Sequence, residues 1–461
     1  MNAALLSDLR SELPPTVIID DADVLASHAS DWSKSAALAP PYVLRPETSK
    51  QVSIILRLCN QYKQAVVTQG GLTGLSGGAT PAEGEIALSL SRLQGVLEVD
   101  AKGQTITVRS GTSLQAIQEA ADAAGFKFAL DLGARGNCSI GGNLATNAGG
   151  NQVIKYGMAR AQVLGLEAVR ADGTIVRAMN SMLKDNAGYD LKQLFIGSEG
   201  TLGVITECVL RLHPKPRSVN TALCGCATFD NAVALLGHVQ SQLGAVSSFE
   251  VMWRSYFDYA IENVAHTRNP MKEAHEFYVL VEQECDGTDH AQEHFLTVLS
   301  EAMDQGVTSD IIVAQSAREA NELWDIRDAI ADILSQIAPL ANFDIGVPIK
   351  YMEEFIDRVD RELNEKYSNL TFFVFGHLGD GNLHLCASTG NADDAKSIYA
   401  HTYQIASLFS ASVTAEHGVG TQKAKYLHYT RSKEELAMMR DLKRALDPNN
   451  ILNPGRVIDI G

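Results

Sequence analysis

The chain has 461 residues, 45% of them apolar and 20% charged, with a formal charge of −17. A single hydrophobic core stops growing at roughly 250–300 residues, so two or more domains are expected. The acidic balance argues against nucleic acid as a partner, because that binding depends on Lys and Arg neutralising phosphates, and no apolar run approaches the roughly 18 residues of a membrane-spanning helix.

Asp8, Arg10 and Glu12 interrupt the apolar positions near the N-terminus, which leaves no segment of the kind a secretory signal carries. Seven cysteines without a Cys-x-x-Cys pair read as small buried hydrophobes in a reducing compartment, so a cytoplasmic protein is expected. Cys224 and Cys226 have strand spacing, and a redox role for them is a minor alternative.

In chain order, residues 1–216 alternate short elements: a helix over 51–62, then strands over 65–68, 86–90, 105–108 and 204–206, an α+β pattern. His213-Pro214-Lys215-Pro216 forms a stiff junction, since each proline fixes its own φ and restricts its neighbour. Residues 217–423 read as a second α+β domain, with amphipathic helices over 289–304 and 317–338 between strands over 276–281 and 371–375. Residues 424–461 hold a helix over 433–446 and a closing Asn453-Pro454-Gly455.

The loop from Thr68 to Gly78 follows a strand with five glycines and three hydroxyl residues, a composition that lets backbone N–H groups form a concave anion nest. It has neither G-x-G-x-x-G nor the lysine of a phosphate-binding P-loop. Alone it would be a weak signal. A second glycine-rich stretch runs from Asp131 to Gly150 and a third from Gly197 to Gly203, and three such loops in one zone suit a dinucleotide threaded along backbone.

Further on, Phe372-Phe373-Val374-Phe375-Gly376-His377 reads as a buried strand, Gly379-Asp380-Gly381-Asn382 as a tight turn and Leu383-His384-Leu385-Cys386 as the return strand. A symmetric turn pairs His377 with His384 on one face, with Cβ atoms about 5 Å apart. By themselves the two would more often be ordinary hydrogen-bonded core histidines. Thr414-Ala415-Glu416-His417-Gly418-Val419-Gly420 adds a hard oxygen donor, and two His plus one carboxylate with open positions suit Zn²⁺ or another catalytic divalent metal.

The glycine loops, His-Leu-Gly-Asp-Gly-Asn-Leu-His, Glu-His-Gly-Val-Gly and the terminal Asn-Pro-Gly, in this order, make the chain from about Pro40 onward resemble the vanillyl-alcohol oxidase superfamily, with its PCMH-type FAD-binding domain. The likeness is to the FAD-linked oxidase branch, which includes D-lactate, glycolate and D-2-hydroxyglutarate dehydrogenases. It implies a PCMH-type FAD-binding domain of two α+β subdomains, an α+β substrate (cap) domain with an antiparallel sheet, and a C-terminal helical segment returning to the FAD domain.

By that resemblance FAD is held by Gln69, Gly70, Gly71, Thr73, Gly74, Leu75 and Gly78 of the first loop. The second contributes Leu132, Gly133, Ser139, Ile140, Gly141, Gly142, Asn143, Thr146, Asn147, Gly149 and Gly150. Glu199, Gly200, Gly203 and Ile205 come from the third, and Asn453 reaches the isoalloxazine. The first loop has no histidine, so non-covalent FAD is expected.

The same resemblance makes His377, His384 and Glu416 the metal ligands, His417 the general base, and Arg327 the clamp on the substrate carboxylate, with His377 and His384 also facing the substrate. Read from its own surroundings, Arg327 could instead be a surface residue pairing with Asp325 or Asp328 on a helix. The 2-hydroxyglutarate members carry a threonine, a lysine and an asparagine where this chain has Ala331, Asn342 and Cys386. Losing partners for a buried carboxylate is costly, so D-lactate or another 2-hydroxymonocarboxylate is favoured over D-2-hydroxyglutarate, unless Lys350 supplies the charge.

The competing readings are an O₂-using oxidase of an alcohol and a binding protein without turnover. The first gains little from a metal that chelates a hydroxy acid, and the second is disfavoured by the open ligand positions. An external electron acceptor is implied, whether quinone, cytochrome or electron-transfer flavoprotein, and a homodimer stays open.

Overall fold

The computed structural model describes residues 2–33 and 37–460. Two compact units emerge: Met1–Gly150, Gly157–Lys215 and Glu416–Gly461 form the first, and Asn151–Tyr156 with Pro216–Ala415 the second.

In the first unit the helix Ser49–Gln61 begins where the Thr48 hydroxyl accepts the Gln51 N–H, and its Val52, Ile55, Leu56 and Cys59 recur at helical spacing. That stripe packs into a core with Val66, Ile86 and Leu88, whose strands Val66–Gln69 and Ile86–Ser89 are parallel neighbours. They belong to a four-stranded sheet with Val43–Leu44 and Ile18–Ile19. The strand Val204–Arg211 lies at the centre of a five-stranded antiparallel sheet, between Thr105–Arg109 and Val163–Val169. The helix Lys433–Leu446 starts at a capping box made by Ser432 and Glu435, and the chain end returns to the first sheet, where Leu452 bridges Val66.

The second unit is built on a seven-stranded antiparallel sheet in the order Asp310–Val313, Ser218–Cys226, Phe277–Cys285, Val246–Trp253, Thr371–His377, Asn382–Ser388, Ala341–Gly346. On one face Met252, Phe373, Phe375 and Cys386 pack with Tyr256, Phe257, Leu323 and Ile326 from the helices Arg254–Asn263 and Ala317–Asp328. On the other, Phe343 meets Tyr399 and Tyr403 of the helix Ala392–Ala406.

The single helix expected over 317–338 is two, Ala317–Asp328 and Ile330–Ile337. The reason lies in the neighbouring helix: the Tyr256 hydroxyl donates to the Arg327 carbonyl at 2.7 Å, occupying an acceptor at the break.

Candidate active site

The register of four adjacent strands in the second unit places polar side chains on one face of its sheet. Glu250 stands directly opposite His377, and His377 opposite Asn382, so these three form one transverse row. Phe375 stands opposite His384, and His384 opposite Asp344, which makes the next row. His377 and His384 are therefore diagonal neighbours, not the directly opposed pair that a symmetric turn gives. The pairing is offset by two residues because Leu378, Gly379, Asp380 and Gly381 all lie in the connection, with Gly381 at φ +85°. A two-residue offset keeps each side chain on its face, and the imidazole centroids are 5.3 Å apart. Donor atoms of His377 and His384 lie within 4.8 Å of each other, as do those of His384 and Asp344.

Arg327 enters the same place from the helix Ala317–Asp328. It is buried, its Nε donates to Glu250 Oε2 at 2.7 Å, and its guanidinium lies 4.9 Å from the Phe375 ring. The surface placement is thereby overturned, because the apolar packing of Leu323 and Ile326 carries Arg327 inward with them, although the pairing with Asp328 is present, with Nη1 3.7 Å from its Oδ1. The other oxygen of Glu250 meets His377 Nδ1 at 2.7 Å. Burial alone would raise the Glu250 carboxyl, but His377 and Arg327 outweigh it and hold it below the ordinary glutamate range.

Asn382 is 3% exposed and, among the described residues, neither its amide oxygen nor its amide nitrogen has a hydrogen-bond partner. Buried polar atoms of that kind call for a ligand or ion. With two imidazoles and Asp344 alongside, the donor set suits a divalent metal.

In the first unit the glycine loops pack on one another. A Cβ on Gly70 would meet the Ser139 hydroxyl, and one on Gly71 the Asn137 carbonyl. Asn453 ties the first loop to the third: its Oδ1 accepts from Thr68 N at 2.8 Å and its Nδ2 donates to the Glu199 carbonyl at 2.7 Å. The buried Glu199 carboxylate accepts from the N–H groups of Val419 and Gly420, and burial, ahead of those contacts, pushes its carboxyl up. Thr68 Oγ1, Ser110 Oγ and both amide atoms of Gln162 are buried without partners among the described residues. The glycines let the loops approach one another where a Cβ would clash, and the orphaned hydroxyls of Thr68 and Ser110 beside them fit a polar ligand such as a dinucleotide.

A family model described as FAD linked oxidases, C-terminal domain, matches residues 215–457, and one described as FAD binding domain matches residues 40–179. The chain belongs to the FAD-linked oxidases. This FAD-linked oxidase is 37% identical to the mitochondrial D-2-hydroxyglutarate dehydrogenase of Danio rerio, across 98% of the chain and 85% of that protein. It is 38% identical to D-2-hydroxyglutarate dehydrogenase of Xanthomonas citri pv. viticola, across 94% and 93%. In fold it is similar to p-cresol methylhydroxylase with substrate bound, at a TM-score of 0.80 and 16% identity, covering 99% of this chain and 97% of that one.

The FAD-linked oxidase places its other expected cofactor residues variously. Gly74 lies near Asp31, Gly78 near the Glu199 carboxylate, and Gly133 faces open space, while Leu75 is 39% exposed. Ser139 caps the helix Ile140–Thr146, the Thr146 hydroxyl bonds back to the Gly142 carbonyl, and Asn147 Oδ1 accepts from Arg160 N. Ile205 is a core residue, and Gly203 lies against Phe195.

Gly150 N donates to Glu416 at 2.7 Å, so the expected metal ligand touches the end of the second loop. The His417 carbonyl accepts from the Ser76 hydroxyl at 2.9 Å. His28 escaped the sequence reading: it is buried beside the first loop, with Nδ1 2.7 Å from Gln69 Oε1. Glu250 and Asp344 escaped it too, each being the one acid of its strand. Lys350 is exposed and rests on the Tyr351 ring, whereas Asn342 and Cys386 are register partners 3.6 Å apart. All seven cysteines are free, and burial pushes the Cys226 thiol up to about 12, which argues against a redox pair.

Proposed function

We propose that this FAD-linked oxidase is a dehydrogenase that converts a D-2-hydroxy acid to the 2-oxo acid, with non-covalent FAD bound by the first unit and the substrate held by the second. The observation that carries the reading is the buried group on one sheet face, where Arg327 lies 3.4 Å from His377 and His377 neighbours His384.

Arg327 binds the substrate carboxylate through its terminal nitrogens, a task suited to a planar fork. His377 and His384 hold a divalent metal, Zn²⁺ or another, with Glu416 as third ligand; Glu416 follows Ala415, whose N–H donates to Asp344, the residue opposite His384. A metal held there would supply polarisation of the hydroxyl, and FAD a hydride acceptor, chemistry that no side chain supplies. His417 takes the hydroxyl proton on a ring nitrogen. The amide of Asn382 is a further contact for the acid or its hydroxyl.

The names of the relatives put D-2-hydroxyglutarate first among candidate substrates and move D-lactate to second. A monocarboxylate such as D-lactate keeps a specific argument, because Asn342 and the buried Cys386 offer no cation to a second carboxylate. Electrons pass to an external acceptor, and seven free cysteines suit a reducing compartment such as the cytoplasm. Dye reduction by the purified protein against a panel of D- and L-2-hydroxy acids tests all of this. D-2-hydroxyglutarate or D-lactate is expected to lead, and substrate-dependent oxygen uptake without dye, or no turnover with any hydroxy acid, would overturn the proposal.

A further inference from the structure

Glu250 is 1% exposed and directly opposite His377 across two neighbouring strands. Its two oxygens have separate duties: Oε1 meets His377 Nδ1 at 2.7 Å, and Oε2 accepts from Arg327 Nε at 2.7 Å. A third contact closes the triangle, with Arg327 Nη2 3.4 Å from His377 Nε2. A guanidinium can only donate, so at that contact His377 Nε2 is the lone-pair nitrogen. Nδ1 then carries the proton and donates it to Glu250. The tautomer with its proton on Nδ1 satisfies all three contacts.

We infer that Glu250 is the positioning residue of the site: one carboxylate fixes the tautomer of His377, so that its Nε2 lone pair faces the site, where either Arg327 Nη2 or a metal but not both can take it, and fixes the guanidinium that receives the substrate carboxylate. The spacing between ligand nitrogen and anion clamp is thereby set by a single side chain from a third element. Carboxylates that accept from the far nitrogen of a metal-ligating histidine typically affect metal affinity by about 10–100-fold when removed. The inference rests on the dehydrogenase reading for its use, but not for the tautomer itself. The plainer account is that Glu250 only neutralises a buried arginine.

Glu250→Gln separates the two, because an amide of the same size presents one acceptor and one donor and cannot accept from both His377 and Arg327. Glu250→Asp keeps the charge. The first measurement is the protonated nitrogen of His377 by ¹⁵N-histidine NMR on the metal-free holoenzyme, expected at Nδ1 in the wild type. The second is zinc affinity by competition with a chromophoric chelator, with flavin content and melting temperature as controls. Glu250→Gln should retain FAD, weaken zinc by about 10–100-fold and raise KM for the hydroxy acid more than it lowers kcat, and Glu250→Asp should recover part of both. A wild-type proton on Nε2, or a Glu250→Gln protein that melts lower but binds zinc and substrate as before, would overturn the inference. A wild type that binds no zinc and oxidises no hydroxy acid would instead sink the dehydrogenase reading, and the NMR result would still decide the tautomer.

Discussion

In the first unit, Gly70, Gly71, Ser139 and Gly150 lie in two stretches of sequence, and each glycine is demanded by a neighbour standing where a Cβ would be. In the second unit, Glu250, Arg327, Asp344, His377 and His384 come from five separate elements and meet only because the strands pair in one register. A cradle for a long cofactor can be written locally, since close backbone approach needs small residues in a row. A chemical site needs different groups converging from several directions, and sheet register supplies that convergence.

The comparison is broken most severely at the histidines. His384→Ala should lose the metal and nearly all turnover while keeping FAD. His417→Ala should keep the metal and the substrate but lower kcat roughly 10²–10⁴-fold, the usual contribution of a general base. Metal content beside single-turnover flavin reduction checks both, and loss of metal in His417→Ala would make His417 a ligand.

Glu416 sharpens the contrast, because it is proposed as a metal ligand and yet accepts a hydrogen bond from Gly150 of the second glycine loop. Glu416→Ala should therefore weaken FAD as well as metal, by roughly tenfold for a lost bond to a charged group, whereas His384→Ala should not. Flavin retained during dialysis, compared between the two variants, is the measurement.

The smallest effect compares buried carboxylates. Glu167 of the first unit accepts from Ser49, Thr206 and Arg177, and those bonds outweigh burial to lower its pKa. A lowered folded value adds stability at neutral pH that is lost as pH falls below the ordinary glutamate value of about 4.3. Glu167→Gln should thus be destabilised by about 1–3 kcal/mol at pH 7, with the gap to wild type narrowing in acid and zinc affinity unchanged. Denaturant melts across pH would show it, and a gap that widens in acid would refute the assignment.

Much of this was legible without coordinates. The helix over 433–446, the strand after Gly203 and the first glycine loop follow from periodicity and from glycine placement, which are local properties. So is the pairing of His377 and His384 on one face, although the residues of the connection shifted it by two. Glu250 and Asp344 were not legible, because an acid alone in an apolar strand carries no local signal of what stands opposite.

The sequence by itself determined an acidic chain of two or more domains, three glycine-rich loops that suit a dinucleotide, and two histidines with a glutamate that suit a divalent metal. Those follow from composition and from motifs whose members sit within a few residues of one another. Only the tertiary structure decided that the helix after Ala317 breaks at Ala329 under the Tyr256 hydroxyl, and that Arg327 is buried against Glu250. The physical reason is the same in both cases. The partner that satisfies a buried carbonyl or charge lies about 70 or more residues away, and it arrives only when the apolar faces of sheet and helix close together.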